Sequence, residues 1–174
     1  MKTTKFTSID LALLAVTGVV SGVIFTANWT LYYVSEALTG PIGARVISYG
    51  LWFIGAPLAA SLIKKPFSAF LGEFIGALVE TLIAPAGGIT NAIYGFTQGL
   101  ASELGYMMFR YGRWDILSGA IAGALAGIPA VALDALLFGM IGGPIEMGLW
   151  VLAACVSGAI YGTVVSFVGL SIRR

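Results

Sequence analysis

Three glutamates, Glu73, Glu80 and Glu103, lie inside apolar stretches long enough to cross a bilayer. A carboxylate near a membrane's centre costs about 2.5–3.5 kcal/mol on insertion scales. A chain that carries several of them either pairs them within its fold or uses them on a solute. Glu73 and Glu80 are seven residues apart, which places both on one face of a helix. Asn91, Tyr94 and Gln98 follow at spacings of three and four, and Ser102 continues that stripe. Two polar faces in lipid point inward, at each other or at a cavity. Trp29, Tyr32, Tyr33, Tyr49, Trp52 and Trp150 fall toward the same end of the spans. An interfacial aromatic belt accounts for any one of them taken alone. As a set beside carboxylates, they suit a planar cationic heterocycle. The candidate ligand-binding residues are therefore Glu80, Asn91, Tyr94, Gln98, Glu73, Trp52, Tyr33 and Trp29. Glu103 has a structural alternative, bonding Ser102 or a neighbouring helix. Asp134 and Glu146 read as solvated residues near loops.

The elements that must position these groups are helices. The 174 residues are 59% hydrophobic and only 10% charged, against about 25% charged in soluble domains. Lipid leaves helices and closed barrels as the only spanning structures, and continuous apolar runs do not alternate as barrel strands do. The fold class expected is all-α integral membrane, one domain over residues 1–174. With no histidine and a lone Cys155, the chain has no disulfide, no His/Cys metal site and no His-based catalysis of its own. Phosphate-loop, nucleophile-elbow and zinc motifs are absent. The reading is a non-enzyme with no cofactor, no metal and no nucleic-acid partner.

Six apolar segments stand out: Ile9–Ala27, Ile42–Ile63, Phe67–Ile83, Asn91–Phe109, Ile116–Phe138 and Met147–Ile172. Each approaches the roughly 20 residues that span a bilayer. The first is too long for a signal-peptide core and is kept as a spanning helix. Ser8 and Asp115 are expected to cap the first and fifth helices. Pro57 and Pro129 are expected to kink the second and fifth. Asn28–Pro41 is expected to be the longest loop. With both termini cytoplasmic, Lys2, Lys5, Lys64, Lys65, Arg110, Arg113, Arg173 and Arg174 share the inner side, as the positive-inside rule requires. Arg45 alone is placed outside, facing Glu36, Asp134 and Glu146. At 1.5 Å per residue, Glu73 and Glu103 each lie ~9 Å above the inner end of their helices, at matching depth. Among the small residues at four-residue spacing, Ala15, Gly18 and Gly22 on the first helix form the expected face for docking a membrane partner.

The stretch GARVISYGLWFIGAPLAASLIKKPFSAFLGEFIGALVE, followed by APAGGITNAIYGFTQGLASELGY, resembles the substrate-capture (S) components of energy-coupling factor (ECF) transporters, and within them the YkoE family. The resemblance covers nearly the whole chain and is densest from Gly43 to Tyr106. It implies a six-helix subunit in a prokaryotic plasma membrane. That subunit would capture thiamin or its hydroxymethylpyrimidine precursor on the outer side, beneath the loop between the first two helices. It also implies docking to a membrane coupling subunit driven by two ATPase subunits. The competing readings are an S component for another vitamin, an ion-coupled carrier relaying charge through Glu73 and Glu103, and a scaffold with no ligand.

Overall fold

The computed structural model describes residues 5–84 and 86–172, and every regular element among them is helical. Lys2, Arg173 and Arg174, which entered the charge reading above, and Pro85 lie outside the described residues. The elements are α1 (Ser8–Ser48), a 3-10 turn (Tyr49–Phe53), α2 (Gly55–Ile63), α3 (Ser68–Ile83), α4 (Ile89–Met107), α5 (Ile116–Phe138) and α6 (Pro144–Ile172). Three segments, Ser8–Ile63, Ile116–Phe138 and Pro144–Ile172, are long and apolar enough to cross a bilayer.

The expected loop Asn28–Pro41 is not a loop: helix α1 runs through it to Gly40. Asn28, Tyr32 and Ser35 are buried at spacings of four and three, a helical period hidden among polar residues. Asn28 Nδ2 donates to the Ser48 carbonyl at 3.0 Å and Ser35 Oγ to the Tyr32 carbonyl at 2.9 Å, while Asn28 Oδ1 is buried without a partner. The helix breaks at Gly40, whose φ of 72° is a left-handed conformation open to glycine, and Pro41 starts the next turn. The Asn28–Ser48 bond shows that the chain after Gly40 runs back beside the end of the first arm.

The second apolar segment is also not one kinked helix. The 3-10 turn interrupts it before Pro57, which sits in the first turn of α2, where its missing N–H costs nothing. Helix α5 continues through Pro129 without a break. Asp115 caps α5, accepting from Ser118 N at 3.1 Å. Helix α1 is capped by Thr7 rather than Ser8: the Thr7 amide donates to Asp10 Oδ2 at 2.6 Å and Asp10 N to Thr7 Oγ1 at 3.3 Å. The Asp10 carboxylate also pairs with Lys65 at 2.5 Å, tying the start of α1 to the α2–α3 connection.

Close approach of backbones sets the packing. A Cβ on Gly123 would fall on the Gly158 carbonyl, so α5 and α6 touch there backbone to backbone. Gly18 and Gly22 do the same for α1 and α3: side chains there would collide with Ile75 and Val79. This corrects the docking face expected for Ala15, Gly18 and Gly22. The two glycines are covered by α3 because their smallness is what lets α3 approach, and only Ala15 stays exposed.

Candidate functional site

Helices α1, α3, α4 and α5, with the 3-10 turn and the ends of their connections, enclose a cavity of about 250 Å³. All eight residues proposed from sequence as ligand contacts line it: Trp29, Tyr33, Trp52, Glu73, Glu80, Asn91, Tyr94 and Gln98.

One wall is aromatic. Trp29 on α1 meets Trp52 on the 3-10 turn edge to face, ring centres 5.1 Å apart. Tyr32 and Tyr49 each approach Trp52, at 5.8 and 5.9 Å. The reversal at Gly40 makes this wall, because it folds α1 back against its own continuation. Glu80 on α3 joins the two indoles: its Oε1 accepts from Trp29 Nε1 at 2.9 Å and from Trp52 Nε1 at 3.2 Å.

Glu73, two turns away on the same face, is fully buried. Its Oε2 accepts from Ala56 N at 2.9 Å, one of the N–H groups that the start of α2 leaves without a helical partner. Its Oε1 is buried with no partner. Gln98 on α4 is 4% exposed and lines the same cavity. No hydrogen bond reaches its amide among the described residues. Buried polar groups are nearly always hydrogen-bonded, so Glu73 Oε1 is a carboxylate oxygen that the fold leaves incompletely satisfied.

Asn91 and Tyr94 are engaged within the fold. Asn91 Nδ2 donates to the Ala86 carbonyl at 3.1 Å, shaping the connection into α4. Tyr94 donates its hydroxyl to Asp134 Oδ1 at 2.8 Å.

Asp134 was expected to be solvated but is buried at the centre of a polar cluster. Its Oδ2 accepts from the Tyr49 hydroxyl at 2.6 Å and from Arg45 Nη2 at 3.2 Å. Arg45 is 1% exposed, with its guanidinium 4.2 Å from the Trp150 ring centre and 5.2 Å from that of Tyr49. Its Nη1 donates to the Pro41 carbonyl at 3.1 Å. Tyr32, Glu36, Tyr49 and Asp134 thus join the cavity lining. The signal for Asp134 was available, since an acid inside the apolar run of α5 needs a partner.

Glu103 is not level with Glu73. It lies opposite the first turn of α3, accepting from Phe67 N at 2.6 Å and Phe70 N at 3.0 Å, because α4 overhangs the start of α3. Helix α3 has no capping side chain of its own, so Glu103 supplies its cap from the neighbouring helix.

An apolar helical bundle with a half-open cavity walled by indoles and carboxylates is the architecture of a membrane transport component. The model of one family, described as "ABC-type cobalt transport system, permease component", matches residues 9–129, and the chain belongs to that family. The fold is also that of a solved structure described as "Crystal structure of an S-component of ECF transporter", with a TM-score of 0.88 and 24% identity, covering 97% of this chain and 86% of that one. A curated relative, "Putative HMP/thiamine permease protein YkoE" of Bacillus subtilis (strain 168), is 29% identical over 125 residues. The match spans 72% of this chain but only 62% of the relative's length.

Proposed function

We propose that this chain is the substrate-capture component of an ECF-type importer and takes up thiamin or a thiamin precursor. The observation that carries the reading is the cavity itself: an indole wall joined to Glu80, with Glu73, Asn91 and Gln98 in the same lining. An aminopyrimidine supplies N–H donors and ring nitrogens for such groups, and its flat ring suits the wall. The name of the family speaks of cobalt, but the donors here do not suit that ion. The sequence has no histidine, and no three His, Cys, Asp or Glu side chains gather into a metal site among the described residues.

In this reading the bundle has six spans, counting the arms of α1 before and after Gly40 separately, and residues 1–174 form one domain. Both termini face the cytoplasm of a prokaryotic cell. In support, Lys65 reaches the Lys5 carbonyl at 3.0 Å, and Arg110 and Arg113 follow α4 at that same end, opposite the cavity. Arg45 is the basic residue at the cavity end, and it is neutralised by Asp134. The lid role expected for a loop passes to the helical arm bearing Trp29, Tyr32 and Tyr33. Ala15 and the exposed apolar side of α1 would meet the membrane coupling subunit, with two ATPase subunits supplying the energy. A charge relay through Glu73 and Glu103 loses its second member, because Glu103 is spent on the start of α3.

The test is a binding panel on the purified chain, with thiamin, its phosphate esters, hydroxymethylpyrimidine and unrelated vitamins, read by Trp quenching and thermal shift. Nanomolar capture of a pyrimidine ligand is expected, about −12 kcal/mol. Failure to bind any pyrimidine overturns the reading. Uptake by the isolated chain in liposomes, abolished by collapsing an ion gradient, would establish the carrier instead.

A further inference from the structure

The hydrogen bonds around the cavity run in one direction. Aromatic side chains of its lining donate to carboxylates of the same lining: the indoles of Trp29 and Trp52 to Glu80, the Tyr32 hydroxyl to Glu36 at 3.0 Å, and the hydroxyls of Tyr49 and Tyr94 to Asp134. A hydroxyl that has given its proton to a carboxylate offers a ligand only lone pairs, and an ionised carboxylate is an acceptor throughout. The other side-chain donors of the lining, the Tyr33 hydroxyl and the amides of Asn91 and Gln98, are uncharged. No lysine or arginine lines the cavity among the described residues. Arg45, the base at this end, is 1% exposed and spent on Asp134. Glu36 and Glu80 have no cationic partner among the described residues. Glu36 is half-buried in the lining, which places it at the opening. The start of α4 also borders the cavity, through Gly87 and Asn91, and a helix start favours anions. Its first turn is closed on itself, however: the Thr90 and Asn91 amides donate to the Gly87 and Gly88 carbonyls at 3.2 and 3.1 Å. Asn91 Oδ1, another acceptor, fills the space a Cβ on Gly87 would take.

We infer that the cavity is built against anions: it takes a pyrimidine that is cationic or neutral, and it rejects the same compound carrying a phosphate ester. The inference rests on the pyrimidine-capture reading and names which members of that class enter. A phosphate is held by cationic side chains or by the free N–H groups of a helix start, and this lining puts acceptors in their place. A recess lined by one sign of charge with apolar walls focuses its field on whatever approaches. An ester group left at the opening therefore meets Glu36, and one carried inward meets Glu80. Like charges set against each other across an interface exclude a partner. A cationic ring or an amino group meets acceptors at the same positions and is drawn in. Glu36, on the solvent side of this field, is the specificity determinant.

The test uses the full chain in detergent at one ionic strength, with two matched pairs of probes: thiamin and thiamin monophosphate, and hydroxymethylpyrimidine and its phosphate. In the second pair the phosphate is close to the ring and must enter with it. The wild type is expected to bind the parent of each pair about 100-fold or more tighter than the ester. Glu36→Lys should shrink the ratio of the thiamin pair about tenfold or more, by tightening the ester rather than weakening thiamin. Should Glu36→Lys fail to fold, Glu36→Gln keeps an acceptor for the Tyr32 hydroxyl and should shrink the ratio by about threefold. Asp115→Asn, a charge removed at the other end, should leave it unchanged. Esters that bind the wild type within about threefold of their parents would overturn this inference and leave pyrimidine capture standing. A high ratio that neither Glu36 variant moves would mean exclusion by size, and would overturn it as well. A wild type that binds none of the probes would overturn the capture reading, and this inference with it.

Discussion

The two ends of the bundle both bury acidic groups, and they satisfy them to different degrees. At the end away from the cavity every carboxylate is spent on structure. Asp10 holds the Thr7 amide and Lys65, Glu103 holds two amides at the start of α3, and Asp115 holds Ser118 and Arg113. At the cavity end Asp134 and Glu80 are likewise engaged, but Glu73 keeps one oxygen without a partner. The difference is informative because both ends belong to one chain in one surrounding medium. Desolvation penalises buried carboxylates at both, so Glu73, whose Oε1 is the buried carboxylate oxygen without a partner among the described residues, stands apart from the acids spent on structure.

The largest effect expected is at Asp134. Removing it by Asp134→Ala strands the buried Arg45 charge, which costs about 3–5 kcal/mol when one partner of a buried pair is lost. Denaturant unfolding in detergent measures this. The double variant Arg45→Met with Asp134→Leu should recover most of the loss, since a buried pair replaced whole by apolar groups is often neutral. An Asp134→Ala chain of wild-type stability would show that the cavity end leaves even its engaged groups loosely held, and the comparison between ends would collapse.

Glu103 and Glu73 sharpen the contrast in opposite senses. Glu103→Ala removes two charge-assisted bonds from the start of α3 and should lower stability by about 2–3 kcal/mol, while ligand affinity stays within about twofold. Glu73→Gln keeps an acceptor for the Ala56 amide, so the melting temperature should hold or rise while affinity falls. Reversal of either pattern would exchange the roles assigned to the two residues.

The sequence made the cavity lining visible because polar residues in lipid have few places to go: the spacing of Glu73 with Glu80, and of Asn91, Tyr94 and Gln98, was enough to gather them. The division of roles was not visible, because it depends on contacts between distant segments. Glu80 meets Trp29 across 51 residues, and Asp134 meets Arg45 across 89. The continuation of α1 through Asn28–Thr39 was masked by its polar composition, although the buried period of Asn28, Tyr32 and Ser35 was there to read. Gly18 and Gly22 were read as a docking face for a membrane partner, because spacing alone does not say whether the approaching helix belongs to the same chain. Their test follows directly. Gly22→Leu places atoms on Val79 and on the Gly76 carbonyl and should cost about 1–3 kcal/mol as overpacking, whereas Ala15→Leu, on the exposed side, should leave thermal stability unchanged.

The smallest effect separates the ends most cleanly. Asp115 caps α5 from outside the spanning segments. Partial burial pushes its carboxyl upward, but the Ser118 amide and the Arg113 guanidinium outweigh burial and hold it below the usual carboxylate range. A carboxyl depressed in the folded state adds stability that is fully present above its unfolded pKa, about 3.9, and is lost as the pH falls through the lower folded value. The Arg113 pair is nearly half exposed, at 48% and 44%, and contributes little by itself, so the cap bonds carry the effect. Asp115→Ala should cost about 1 kcal/mol. Asp115→Asn should retain most of the cap and flatten the acid limb of the melting profile between about pH 5 and pH 3. Ligand affinity at neutral pH should be unchanged in both variants, because nothing at this end borders the cavity. An altered affinity in either would mean that the caps at this end and the cavity at the other are coupled through the bundle, and the saturation of one end could no longer be read apart from the openness of the other.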